Sequence, residues 1–192
     1  MRLFYASFLS PENMATYRSL LADVAAEVPD VLRPVPEKSH HLTLAFLGQI
    51  AEENRDRCLE VLNLARQVEA CGISMAPPRI LRSRGTPRLV VTDLVDGRER
   101  VSELQDLLRR EFLHRFPASD VRAQPPHVTL ARFKKRANRE SAQRVEASLS
   151  RAANPSQPRT DLIASVHLVR STLTPSGPVY ESLDRSALRR RA

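Results

Sequence analysis

The chain has 192 residues, 42% hydrophobic and 27% charged, enough to bury a core in one large domain or two small lobes and too apolar for a disordered chain. Lys and Arg exceed Asp and Glu by eight, a balance that favours polyanionic partners without naming one. Nowhere do 18 apolar residues run together, and Pro11 and Glu12 cut the apolar stretch near the N-terminus, which argues against a spanning helix or a secretory signal and for a cytoplasmic protein.

In chain order, Arg2 to Leu9 alternate apolar and polar residues and predict a strand. Ser10 as N-cap and Pro11 at the first helical position open a helix with Tyr17, Leu20, Leu21 and Val24 at helical spacing. The Pro-rich stretch PDVLRPVPEKSH reads as a loop leading to a strand, HLTLAFL, and an amphipathic helix is expected over residues 51 to 69. Short strands follow around 72 to 76, 79 to 82 and 88 to 94, then a helix over 99 to 114. A second Pro-rich loop, FPASDVRAQPP, delivers the strand HVTLAR; a helix over 139 to 151 and two late strands, DLIASVHLVRSTL and PVYESL, joined by the turn TPSG, complete the pattern. The tail from Asp184 carries no signal. Mixed helices and hairpin-spaced strands predict an α+β fold with antiparallel sheets. Cys58 and Cys71 are too few for a disulfide framework or zinc knuckle and read as buried free thiols.

The informative feature is a repeated one. In a strand, residues i and i+2 share a face, so His41 and Thr43 point one way while Leu42, Leu44 and Phe46 point into a core. His127 and Thr129 repeat the pattern opposite Val128 and Leu130, 86 residues later and again behind a Pro-rich loop. One such pair is what any surface strand shows; two make coincidence a poor account. Displacement at phosphorus needs a base for the nucleophile's proton and an acid for the leaving oxygen, and an imidazole of ordinary pKa about 6.5 suits either role. The hydroxyls of Thr43 and Thr129 suit the non-bridging phosphate oxygens, where negative charge develops.

These residues resemble the two HxTx signatures of the 2H phosphoesterases, specifically the RNA 2′,3′-cyclic phosphodiesterases, also called 2′-5′ RNA ligases. RLFYASFL is similar to the family's first strand and VHLVRSTLTPSGPVYESL to its C-terminal hairpin, so the resemblance spans the chain. It implies a single bilobal domain over 1–192, with two antiparallel sheets facing across a central cleft, helices outside, and one HxTx strand per lobe (41–44 and 127–130). It implies metal-independent, ATP-independent opening of a 2′,3′-cyclic phosphate at an RNA 3′ end to a 2′-phosphate, with reversible 2′-5′ ligation. No cofactor, membrane or obligate protein partner is expected, and a monomer is.

Carried over by position, His41 and His127 are the catalytic pair and Thr43 and Thr129 bind phosphate. His127 is taken as base for water and His41 as acid for the leaving 3′ oxygen. Family members carry Arg at the position of Arg132 with a proposed role on the phosphate, but strict alternation points Arg132 away from His127, so a bulge, a strand end or its long side chain must bring it round. Phe4 and Tyr180 are candidates to stack on a base, whereas Phe46 is assigned to the core. His40 and His167 read as structural or sheet-face residues and His114 as an ordinary helix-end histidine.

Three rival functions stay open. A 2H enzyme acting on 2′-5′ oligonucleotides or small cyclic nucleotides would not need an extended basic track, which RSRGTPR (82 to 88) and RFKKRANR (132 to 139) would offer to long RNA. A non-catalytic RNA-binding module is disfavoured by an aromatic content of 5% and the absence of Trp. A metal enzyme lacks a carboxylate or thiol at ligand spacing to either motif.

Overall fold

The computed structural model describes residues 1–152, 159–175 and 177–190. Among the described residues, ten strands and four α-helices follow in the order β1 (Arg2–Phe8), α1 (Pro11–Glu27), β2 (Leu32–Pro34), β3 (His41–Gln49), α2 (Arg55–Asn63), β4 (Cys71–Met75), β5 (Arg79–Ser83), β6 (Thr86–Asp93), α3 (Arg98–Arg115), β7 (His127–Phe133), α4 (Arg139–Ala152), β8 (Arg159–Ile163), β9 (Ser165–Thr174) and β10 (Gly177–Ala187). The result is the expected α+β fold. One antiparallel array runs β10-β9-β1-β3 and β7-β6-β5, with β2 on the remaining part of β7's edge; β4 and β8 form a separate two-stranded sheet. The two halves of the array meet at one residue pair, Leu42 opposite Val128.

Local sequence explains the helices. Ser10 caps α1, its hydroxyl accepting from the Asn13 amide, and the same turn is tied down when the Asn13 side chain donates to the Thr160 carbonyl at 2.7 Å. Tyr17, Leu21 and Val24 then bury one face of α1. Val101, Leu104, Leu108 and Phe112 do the same for α3, and Val145 and Leu149 for α4. The opposing strands contribute Leu3, Tyr5, Leu42, Leu44, Val90, Val128, Leu130 and Leu168 to this core. Cys58 and Cys71 lie within it as free thiols.

Four sequence-based expectations change. The loop PDVLRPVPEKSH contains β2, whose Leu32, Arg33 and Pro34 pair with Phe133, Arg132 and Ala131. Proline is tolerated there because β2 is an edge strand. Residues 51 to 69 divide into a 3₁₀ turn (52–54), α2 and a second 3₁₀ turn (64–67). DLIASVHLVRSTL divides at Ala164, its first part pairing with β4 and its second with β1. Beyond Asp184, β10 continues to Ala187, and Arg189 bridges to Glu69. Ser176 of the TPSG turn and residues 191–192 of the basic tail lie outside the described residues. Among the described residues no helix is long and apolar enough to cross a membrane.

Gly97 starts α3 at φ 73°, and a Cβ there would sit 2.4 Å from the Gly72 carbonyl oxygen and 2.8 Å from Ile73 Cγ2. The left-handed backbone and the clash both oppose a side chain. Gly97→Ala is expected to cost about 2–4 kcal/mol in denaturant unfolding; a loss under about 0.5 kcal/mol would contradict the close packing of β4 on α3.

Candidate active site at the junction of two strands

The Leu42–Val128 pair fixes the site's geometry. Both side chains are fully buried on the helix-covered side, so His41, Thr43, His127 and Thr129 occupy the opposite face. Because the pairing is antiparallel, one step along the register in either direction sets His41 across from Thr129 and Thr43 across from His127. All four are part-exposed.

Each histidine is oriented by the backbone two residues before it. His41 Nδ1 lies 2.6 Å from the Ser39 carbonyl oxygen and His127 Nδ1 lies 2.9 Å from that of Pro125. A carbonyl only accepts, so Nδ1 carries the proton in both rings and the neutral form presents an Nε2 lone pair. The Thr43 carbonyl in turn accepts from Gln105 Nε2 of α3 at 2.9 Å, anchoring the strand just beyond its threonine.

Burial separates the two rings. Phe4, Phe8 and Tyr180 surround His41 with centroid distances of 5.1, 5.8 and 5.2 Å. This apolar wall removes solvent from the imidazolium and lowers the His41 pKa to about 4, against the opposing pull of the Ser39 carbonyl. The nearby positive charges of His40, Arg132 and His127 push the same way as burial, which places Arg132 and His127 within electrostatic reach of His41.

Arg132 reaches this face through a bulge. Val90 pairs with Ala131 and Val91 with Thr129, leaving Leu130 as an extra residue in β7; Leu130 and Ala131 are both buried, and Arg132 emerges on the side of Thr129. The same device relocates Phe46. β3 carries extra residues at Leu44 and Leu47 relative to β1, so Phe46 pairs with Phe4 on the His41 face instead of entering the core, and it is 40% exposed. Phe4 is 1% exposed, packs beside His41 and contributes to the lining of the cleft. Phe4, Phe46 and Tyr180 line a cleft of about 340 Å³ together with Arg2, Arg33 and Arg132. A neighbouring cavity of about 220 Å³ is lined by Arg33, Pro36, Arg132, Gly177 and Tyr180.

Pattern reading of the sequence missed Arg33 and Phe8. Arg33 precedes a proline in what read as loop, and only its pairing with Arg132 brings it here. Phe8 pairs with His41 across β1 and β3, and the strand alternation of RLFYASF carried that parity without its partner. His167 lies on the same face at 5.0 Å from Phe8, with its ring nitrogens 2.8 Å from Ser182 Oγ and 3.2 Å from Ser165 Oγ, as expected of a satisfied sheet-face histidine. His40 is buried beside Tyr17 on the other side. Among the described residues no three His, Cys, Asp or Glu side chains gather to hold a metal ion.

Comparisons with known proteins follow this geometry. A family model for LigT-like phosphoesterases matches residues 94–180. An RNA 2′,3′-cyclic phosphodiesterase of Thermus thermophilus is 33% identical over 198 residues, covering 98% of this chain and 91% of that protein. A crystal structure of a Thermus thermophilus protein superposes with a TM-score of 0.78 at 30% identity, covering 100% of both chains. Escherichia coli LigT complexed with 3′-AMP shares the fold, with a TM-score of 0.71 at 22% identity over 97% of each chain.

His41 should remain neutral down to about pH 4 in an NMR titration of its ring protons, because burial penalises the charged form. Tyr180→Ala, which opens the wall, should move the midpoint up toward the ordinary value of about 6.5. A wild-type midpoint near 6.5 would contradict the desolvation.

Proposed function

We propose that this chain, which belongs to the LigT-like phosphoesterase family, hydrolyses the 2′,3′-cyclic phosphate at the 3′ end of RNA to a 2′-phosphate. The observation that carries this reading is the shared face: two backbone-oriented imidazoles and two threonine hydroxyls, held together by the Leu42–Val128 pair. The relatives' activity supports the substrate. We read residues 1–192 as one bilobal domain, each lobe lending one motif strand.

Two residues exchange protons with the reacting groups. One imidazole Nε2 takes a proton from water as its oxygen bonds to phosphorus; the P–O3′ bond breaks, and the other imidazole gives a proton to O3′, leaving a 3′-hydroxyl and a 2′-phosphate. The His41 pKa bears on the order. In the ligand-free state burial holds His41 neutral at neutral pH, a state compatible with the base, and we assign the water proton to His41 and the acid role to His127. The sequence leaves the order open with His127 as provisional base; the aromatic wall around His41 is what favours the reverse assignment. Thr43 and Thr129 donate to the non-bridging oxygens, and the Arg132 fork binds the charge that builds on them.

Tyr180 and Phe46 flank the terminal nucleoside, with Arg33 beside it. Both proton transfers are assigned to imidazoles, so the reaction proceeds without a metal or ATP. When a 5′-hydroxyl replaces water as nucleophile, the same transfers yield a 2′-5′ linkage, the ligase reaction.

The test incubates wild type, His41→Ala and His127→Ala, in excess EDTA, with RNA ending in a 2′,3′-cyclic phosphate. Wild type should release only the 2′-phosphate, each histidine variant should lose about 10² to 10⁴ in rate, and Thr43→Val or Thr129→Val about 10² to 10³. A substrate with sulfur in place of O3′ expels a thiolate that needs no proton. It should rescue His127→Ala and leave His41→Ala slow. Variants as active as wild type would overturn the two-histidine chemistry, and rescue of His41→Ala instead would reverse the acid and base.

A further inference from the structure

We propose that the β5–β6 hairpin and the segment leading into α4 form a second RNA-binding surface, a basic track that holds the phosphate backbone upstream of the reacting end and makes polymeric RNA the preferred substrate. The inference rests on the phosphodiesterase reading and extends it from the terminal nucleotide to the chain behind it.

Two basic stretches, far apart in sequence, meet at one place. Arg82, Thr86 and Pro87 of the hairpin and Asn138, Arg139 and Gln143 of α4's first turns and its lead-in line a groove of about 610 Å³. The hairpin turns through Arg84 (φ 48°) and Gly85 (φ 79°), which puts the Arg84 side chain at its tip. Arg84, Arg88, Lys135, Arg136 and Arg139 are all exposed. The ion pairs of this region go to other residues, Arg82 to Glu146 and Lys134 to Asp30. Elsewhere on the surface several cations face a carboxylate, as Arg79 does Asp93, Arg122 does Asp120 and Arg170 does Glu181. Glu146 lines the groove and Glu140 follows Arg139, but the five exposed cations outnumber them, and a polyanion relieves the repulsion among those cations by displacing their counterions.

The track is continuous with the reacting centre. Leu89 lies opposite Arg132, and Arg88 is the extra residue of a bulge in β6, so it sits beside that pair at the end of the sheet. From Arg132 the chain passes through Phe133 and Lys134 directly into Lys135 and Arg136. Arg82 reaches Glu146 on α4, so the groove opens on the helix side of the sheet. An RNA strand whose terminal phosphate lies at Arg132 reaches it over the ends of β6 and β7, past Arg88. The surface is short of aromatic rings, which fits contacts to phosphates and not to bases. A small cyclic nucleotide cannot span it.

The experiment compares wild type with a quadruple variant, Arg84→Gln, Lys135→Gln, Arg136→Gln and Arg139→Gln, none of which touches the reacting groups. Turnover is measured on a cyclic mononucleotide and on an unstructured RNA about 20 nucleotides long with a 2′,3′-cyclic phosphate. Affinity for the same RNA ending in a plain 3′-phosphate is measured by fluorescence anisotropy at several salt concentrations.

The variant should keep mononucleotide turnover within about twofold and lose tenfold or more in kcat/KM on RNA. Its slope of log affinity against log salt should shrink by about 0.7 per lost contact, about 3 in all. A charge-preserving variant, with Lys for each Arg and Arg for Lys135, should behave as wild type. Unchanged RNA affinity and salt slope in the quadruple variant would overturn the track, as would an equal loss in the charge-preserving variant. Wild type inert on both substrates yet binding RNA with the predicted slope would sink the phosphodiesterase reading while sustaining the surface.

Discussion

One residue pair carries the architecture. Among the described residues, Leu42 and Val128 are the one pair in register between β3 and β7, and both are removed from solvent, each worth about 1.5–3 kcal/mol of apolar burial. Because the pairing is antiparallel, burying these two side chains turns both His-x-Thr motifs onto the far face and sets each histidine against the other strand's threonine. A parallel pairing would put histidine beside histidine and threonine beside threonine. A slip of one residue would bury the imidazoles. The hydrophobic pattern that builds the core is thus also what assembles the site.

Around that junction, two kinds of surroundings act in opposition. On the β1 and β10 side, Phe4, Phe8 and Tyr180 dry the His41 ring and hold it neutral. On the β2 and β7 side, Arg33 and Arg132 pair across adjacent strands and border the cleft. An anionic phosphate is drawn to the guanidinium side while the uncharged imidazole avoids a cost of desolvated charge before substrate arrives. The backbone carbonyls of Ser39 and Pro125 leave one nitrogen of each ring for chemistry. The Pro-rich loops that precede both motifs are therefore part of the site, since they supply those acceptors.

The shared face of the motif histidines and threonines was legible in the sequence because parity within a strand is local and needs no partner. The α+β fold was legible for the same reason: caps, periodicities and turn residues mark most elements on their own. Arg132 and Phe46 were harder, since parity sent both to the wrong face. Leu130, Leu44 and Leu47 are bulged residues, and a bulge is a property of pairing with β6 or β1, invisible in β7 or β3 alone. β2 escaped notice because a three-residue edge strand containing Pro34 has too little pattern to separate it from loop. Phe8 and Arg33 acquire meaning only from the strands laid beside them.

The central claim is that the two motifs work as one acid–base unit and not as two separate aids to binding. A double-mutant cycle on kcat/KM for the cyclic-phosphate RNA, with His41→Ala, His127→Ala and the double variant, tests it most directly. Because one proton transfer is useless without the other, the double variant should be little slower than the worse single one, a strongly non-additive result. Losses that multiply in the double variant would show that the histidines act independently, and would contradict the account.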